Sequence, residues 1–123
     1  MDNFKRVVDT YGHLNGSQAL KEVARTLEES LTEPAFGVAY GGDKFVLVLP
    51  EIDKAGALEQ IKEIRSRMKE TTYLANTGLK VHMSASFGIV TYPDDAGDSK
   101  GLLALADEAM FRIKSRGKDA IGI

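Results

Sequence analysis

The sequence predicts an α/β layer fold with a mainly antiparallel central sheet covered by helices, and three observations point to it. Two β-rich runs, Phe36 to Tyr40 and Lys44 to Leu49, flank a Gly-Gly pair, as in a tight hairpin. Three other stretches repeat apolar residues at helical spacing. The run Leu79 to Thr91 alternates apolar and polar residues as a half-buried strand does. Helices interleaved with strand pairs build layers around one core.

Taken in chain order, Leu20, Val23, Ala24, Leu27 and Leu31 share one helical face, which predicts a helix over 17–31. Asn15 to Ser17 form its expected capping region, and Pro34 ends it. In the hairpin, Gly41 and Gly42 supply the positive φ that a short turn needs, and lacking Cβ they let backbone approach a ligand closely. Asp43 then stands at the tip, where it can hold a metal ion or face a phosphate, with Lys44 beside it. A solvated Asp-Lys pair on an ordinary surface hairpin is the plainer reading of the same residues.

Ala57, Ile61, Ile64 and Met68 mark a second helix between Pro50 and Thr71-Thr72. In the run that follows, Val81, Met83 and Ala85 alternate with His82, Ser84 and Ser86, and Gly88 marks a bulge or a close-packing point. Residues 92–97 read as a loop. Leu102, Leu103, Ala106, Met110 and Ile113 form the face of a last helix, with Gly117 suited to the position just past its end. Residues 119–123 are expected to add a short final strand.

Composition bounds the function. With 43% hydrophobic and 28% charged residues, the 123-residue chain is an ordinary globular sequence able to build one core. A net charge of −2 lacks the cationic footprint of a general nucleic-acid binder. The absence of cysteine excludes disulfide and thiolate chemistry. No apolar run approaches the roughly 18 residues that suggest a membrane helix, so the cytoplasm is the expected compartment, with room for a membrane anchor elsewhere in a longer parent protein.

Further motifs stand outside the hairpin. They are Asp2-Asn3-Phe4-Lys5, the segment Asp9-Thr10-Tyr11-Gly12-His13-Leu14-Asn15-Gly16-Ser17, Ala106-Asp107-Glu108-Ala109-Met110-Phe111, and Lys114-Ser115-Arg116-Gly117-Lys118-Asp119. In this order and spacing, together with Gly41-Gly42-Asp43-Lys44-Phe45, they resemble the GGDEF family, diguanylate cyclase domains that join two GTP molecules into cyclic di-GMP. The resemblance covers essentially the whole chain as a single domain, 1–123, that lacks the amino-terminal part of the family pattern, including most of its first strand. An unpaired inner sheet edge is therefore expected. The family's fold is similar to polymerase palm and nucleotidyl cyclase domains.

The resemblance implies attack of a 3′-hydroxyl on the α-phosphate of a second nucleotide, with magnesium as cofactor and pyrophosphate leaving. It implies metal ligands at the backbone carbonyl of Met1 and at Asp43, the other strand ligand of the family falling just before Met1. The backbone near Phe4 and Lys5, the glycines Gly41 and Gly42, and the cations Lys114 and Lys118 would contact the nucleotide. Active members work as homodimers, since each half-site holds one nucleotide, and they are joined to sensor or effector domains.

Two departures from the family pattern bear on activity. The family's glutamate after the hairpin aspartate is Lys44 here. The guanine-reading asparagine and aspartate correspond to Val8 and Ser17; valine offers no hydrogen bond, and Ser17 suits a helix cap as well as a base contact. The family's product-inhibition pair corresponds to Thr32 and Ala35, so that site is absent. The expectation is a cyclase-family domain whose activity is lost or strongly reduced. The alternatives are a non-catalytic module that binds GTP or a protein partner, and a cyclase with altered choice between ATP and GTP.

Overall fold

The computed structural model describes residues 1–2, 4–117 and 120–122. Its elements are helix α1 (Phe4–Tyr11), helix α2 (His13–Ser30), strands β1 (Phe36–Ala39) and β2 (Phe45–Val48), helix α3 (Lys54–Glu70), a 3-10 turn (Ala75–Thr77), strand β3 (Phe87–Gly88), helix α4 (Ser99–Ser115) and strand β4 (Ile121–Gly122). The fold is α/β, as expected. The chain groups into two compact units, one of Met1, Asn3–Pro50 and Ile64–Ser84, the other of Asp2, Glu51–Glu63 and Ala85–Ile123.

In the first unit, α1 is an element the sequence reading left unassigned, although Phe4, Val7, Val8 and Tyr11 keep helical spacing. Gly12 separates it from α2 at φ 88°, ψ 167°, a conformation that glycine adopts without a Cβ penalty. Its N–H still reaches the carbonyl of Val8 at 2.8 Å, while its own carbonyl receives Gly16 N–H at 3.0 Å. Helix α2 therefore begins at His13 rather than near Ser17, and the expected Asn15–Ser17 cap is corrected. Asn15 instead donates its side-chain amide to the carbonyl of Tyr11 at 2.9 Å, satisfying the end of α1.

Helix α2 buries Gly16, Ala19, Val23, Thr26 and Leu27. The buried stripe is rotated from the expected one, with only Val23 and Leu27 in common, because Gly16 is pressed against α1. A Cβ on Gly16 would lie 2.7 Å from Val8 Cγ2. Beneath α2 the largest fully buried side chain is Tyr73. Its hydroxyl lies 2.9 Å from Thr26 Oγ1, which is also 3.2 Å from the carbonyl of Glu22. Burial is the main cause that raises the Tyr73 pKa, opposed by its hydrogen bonds to Thr26 and Thr71. Glu22 also accepts the N–H of Leu74 at 3.0 Å, holding a residue whose φ is +57°.

Strands β1 and β2 form the expected antiparallel hairpin, with Phe36 opposite Val48 and Ala39 opposite Phe45. All four residues of β1 are exposed. Helix α3 buries Ala57, Ile61, Ile64 and Met68, the expected set. Its first turn is capped by Asp53, whose Oδ1 accepts the N–H of Gly56 at 2.8 Å.

The expected strand over 79–91 is largely corrected. Val81, Met83 and Ala85 are buried and His82 exposed, so the alternation is real, yet Ser86 is buried too. Among the described residues the ladder pairing reduces to an isolated bridge between Tyr73 and Val81 and to the two residues of β3. Alternation reports which side of the backbone is covered; a ladder also requires a neighbouring strand in reach.

In the second unit β3 pairs with β4, Phe87 opposite Ile121 and Gly88 opposite Gly122, and this pairing is parallel. Helix α4 lies directly on this pair. A Cβ on Gly88 would stand 2.6 Å from the carbonyl oxygen of Ala106 and 3.1 Å from Ala109 Cβ, so Gly88 is the close-packing point and not a bulge. Asp98 caps α4 through Gly101 N–H at 2.7 Å, and Gly117 follows its end at φ 108°, as expected. In the loop before it, Asp95 Oδ2 accepts from Lys54 Nζ at 2.5 Å and from Thr91 N–H at 2.8 Å. The bond from Lys54, ahead of that from Thr91, lowers the Asp95 pKa. Asp119 and Ile123 of the expected final strand lie outside the described residues.

Candidate functional site

The hairpin tip is shaped by two glycines. Gly41 and Gly42 have φ of 63° and 53°, and a Cβ on either would meet nothing within 4 Å. Conformation, not crowding, requires glycine here. The tip closes with Lys44 N–H on the carbonyl of Gly41 at 3.1 Å and Tyr40 N–H on the carbonyl of Lys44 at 2.8 Å. This leaves Asp43 half-buried and Lys44 exposed at the turn.

Met1 reaches the same turn. Its backbone nitrogen donates to the carbonyl oxygen of Asp43 at 3.0 Å, across 42 positions of sequence. The first residue and the hairpin tip are thus in direct contact. Next in sequence, Asp2 is buried, and its Oδ1 accepts a hydrogen bond from Ser86 Oγ at 2.7 Å. In the sequence Asp2 stands within a motif and Ser86 falls on the polar side of an alternating run. No local spacing signals a pair 84 positions apart.

Phe4 and Val8 come together against Gly16, with Phe4 Cζ 3.5 Å from where a Gly16 Cβ would be. Val8 is half-buried, while Lys5 is exposed near the start of α1. Ser17 is exposed in the second turn of α2, where it caps nothing. Lys114 is exposed in the last turn of α4. Lys118 lies outside the described residues.

Charge at the tip decides what it can hold. Among the described residues no group of three or more His, Cys, Asp or Glu side chains could hold a metal ion. Asp43 is the acid of the turn, and its sequence neighbour is a cation. Magnesium often takes one or two protein carboxylates and completes its shell with substrate phosphates and water. The Asp43 carboxylate is the donor type that such an ion takes together with substrate phosphates and water.

Comparison with known proteins agrees with this geometry. The family model described as "Diguanylate cyclase, GGDEF domain" matches residues 1–120. Diguanylate cyclase DosC of Escherichia coli K12 is 31% identical over 121 residues, which are 98% of this chain and 26% of that protein. The chain thus spans about a quarter of the length of this curated relative. Among solved structures, a sensory box/GGDEF family protein from Caulobacter crescentus CB15 superposes with a TM-score of 0.85 at 33% identity, over 94% of this chain and 74% of that one. The GGDEF domain of PA1120 (YfiN or TpbB) from Pseudomonas aeruginosa gives 0.84 at 30% identity, over 98% and 75%. With its motifs in register, its hairpin tip in contact with Met1 and residues 1–120 matched, this chain belongs to the GGDEF family.

Proposed function

We propose that this domain binds a purine nucleoside triphosphate, GTP foremost, where the hairpin tip meets the Met1 to Lys5 segment, and that conversion of two GTP into cyclic di-GMP is lost or strongly reduced in it. The observation that carries this reading is Lys44, exposed at the turn beside Asp43 where the family has a second acid. Two unit charges about 5 Å apart at an effective dielectric near 20 interact by about 3 kcal/mol, and a divalent ion doubles that. Changing the sign of the neighbour turns attraction into repulsion of the same order. Since 1.4 kcal/mol is about tenfold in rate, the effect amounts to orders of magnitude.

When bound, magnesium would neutralise charge developing on the α-phosphate and the leaving pyrophosphate. In this reading the protein's part is positional. Asp43 and the Met1 carbonyl face the cation, the backbone near Phe4 and Lys5 meets phosphate oxygens, and Gly41 and Gly42 let the turn come close. Lys114 and Lys118 would add positive charge for the triphosphate. Catalysis would need two copies, each bringing one nucleotide, so an active form is a homodimer. The parent protein would carry sensor or effector domains, and the domain would work in the cytoplasm; no helix among the described residues is long and apolar enough to cross a membrane. A silent copy would serve those partners as a nucleotide-binding regulatory module.

One observation favours a second reading, altered base choice. Ser17 is free of the capping role that would otherwise explain it, and Val8 packs on Gly16 and offers no hydrogen bond to a base. Mass spectrometry of products from GTP, ATP and magnesium, with the chain and its Lys44→Glu variant side by side, tests both. Product from the variant alone supports a cyclase silenced at Lys44. Rapid synthesis of cyclic di-GMP by the unaltered chain would overturn that, and mixed products would establish the second reading.

A further inference from the structure

Phe111 of α4 is 72% exposed, the most exposed aromatic ring among the described residues. At about 100° per residue it stands about 200° round the helix from Ala109, which is buried against Gly88. The ring therefore points away from the core that α4 itself covers. One exposed aromatic is ordinary surface; the charges around this one are not arbitrary. Asp107 and Lys114 lie on the same outer face as Phe111, one on either side of it, separated by about two turns. Both are exposed, and neither makes an ion pair among the described residues. At the flank, Glu108 and Arg112 already pair with each other at 3.9 Å. Ala104 and Ser115, small and exposed, extend the face at its two ends.

We infer that this face of α4 docks a second copy of the chain, helix against helix and antiparallel, about a two-fold axis at Phe111. The two Phe111 rings then meet at the centre. Asp107 of each copy falls beside the partner's Lys114, and symmetry makes that contact twice. A parallel pairing would instead set each charge against its own kind, so the charges select the antiparallel one. Short side chains at Ala104 and Ser115 let the two helices approach closely. A single helix pair buries less than the roughly 1,200 Å² of a stable interface, so the dimer is weak and depends on concentration. The pairing does not rest on the function proposed above. One consequence does: Lys114 is also a cation of the proposed nucleotide site, so a bound triphosphate and the helix pair compete for it.

Sedimentation equilibrium of the full chain, from micromolar to millimolar concentration, tests the pairing. Wild type should form a dimer that weakens as salt is added. Asp107→Lys and Lys114→Asp should each weaken it about tenfold or more, because each creates two like-charge contacts. The chain carrying both exchanges should recover wild-type association, which a general loss of structure could not produce. Phe111→Ser should weaken the dimer with its unfolding midpoint unchanged, since the ring is exposed. A monomer at every concentration would overturn the inference, as would a dimer indifferent to the single exchanges or one that the double exchange fails to restore. Magnesium with GTP is the last arm. Dissociation of the wild-type dimer by GTP would support both the pairing and the double use of Lys114, whereas a charge-sensitive dimer that ignores GTP would support the pairing and count against Lys114 in the nucleotide site.

Discussion

The backbone nitrogen of Met1 and the carbonyl oxygen of Asp43 stand 3.0 Å apart, joining the start of the chain to a turn 42 positions later. The bond uses main-chain atoms on both sides, so it survives any side-chain replacement at either residue. Substitutions at the tip can therefore change its charge while leaving its framework in place.

That separation makes Lys44 a clean target. Lys44→Glu should leave the unfolding midpoint within about a degree, because an exposed side chain away from special features contributes little. Product formation in the presence of magnesium should rise by about a hundredfold or more, in line with the charge estimate. Quantitative mass spectrometry of cyclic dinucleotides measures it. An unchanged rate would mean that the second acid does not limit this domain.

Glycines at two places should respond differently to the same added methyl. Gly42→Ala, in open space at φ 53°, should cost about 1 kcal/mol through left-handed backbone strain alone. Gly88→Ala drives a carbon to 2.6 Å from the Ala106 carbonyl and should cost about 1–3 kcal/mol through overpacking. Urea denaturation of the two variants orders them, and equal losses would contradict the close approach at Gly88.

Tyr73→Phe should destabilise by about 1–2 kcal/mol, since it removes the hydroxyl that bonds Thr26 and Thr71 while Thr26 keeps its bond to the Glu22 carbonyl. The pH dependence has a definite sign. The folded pKa is raised, so the stabilisation from the neutral phenol is complete below the ordinary value of 10.0 and is lost as pH rises through the raised one. Alkaline unfolding of the phenylalanine variant should lack this component in a comparison of melts above pH 10.

Asp95 carries the opposite sign. Its pKa is lowered by the bond from Lys54 first and by Thr91 N–H second, so its contribution is present above 3.8 and is lost as pH falls through the lower folded value. Lys54→Met should move the Asp95 carboxyl titration upward, toward but not fully to 3.8, because Thr91 still donates. Carbon-detected NMR reads the midpoint directly, and no movement would show that Lys54 is not the main cause.

Legibility in the sequence followed the range of the interactions. The hairpin, the stripe of α3 and the Gly117 terminus were readable because turn chemistry and helical period act within a few residues. The same local rules misplaced the start of α2: Asn15 and Ser17 look like caps, but Gly12 breaks the chain three residues earlier and Asn15 turns back to Tyr11. Helix α1 has the right spacing, yet its eight residues make only about two turns, too short for the period to stand out. Alternation over 79–91 identified the buried side chains but not the pairing, which depends on distant neighbours. In the site, Met1 and Asp43 were foreseen as neighbours through the resemblance, whereas Ser86 was not, because only folding brings it to Asp2.

Gly88 has a mechanical meaning beyond its steric one. With no side chain, it sets how deep α4 rides on the strand pair, through the contact at Ala106. Eight positions further along the same helix stands Lys114, a lever arm of about 12 Å at the usual rise per residue. Lifting the fulcrum by the width of a methyl group would swing that charge through a comparable distance, so the reach of a cation in the last turn of α4 is set by the emptiness under its middle.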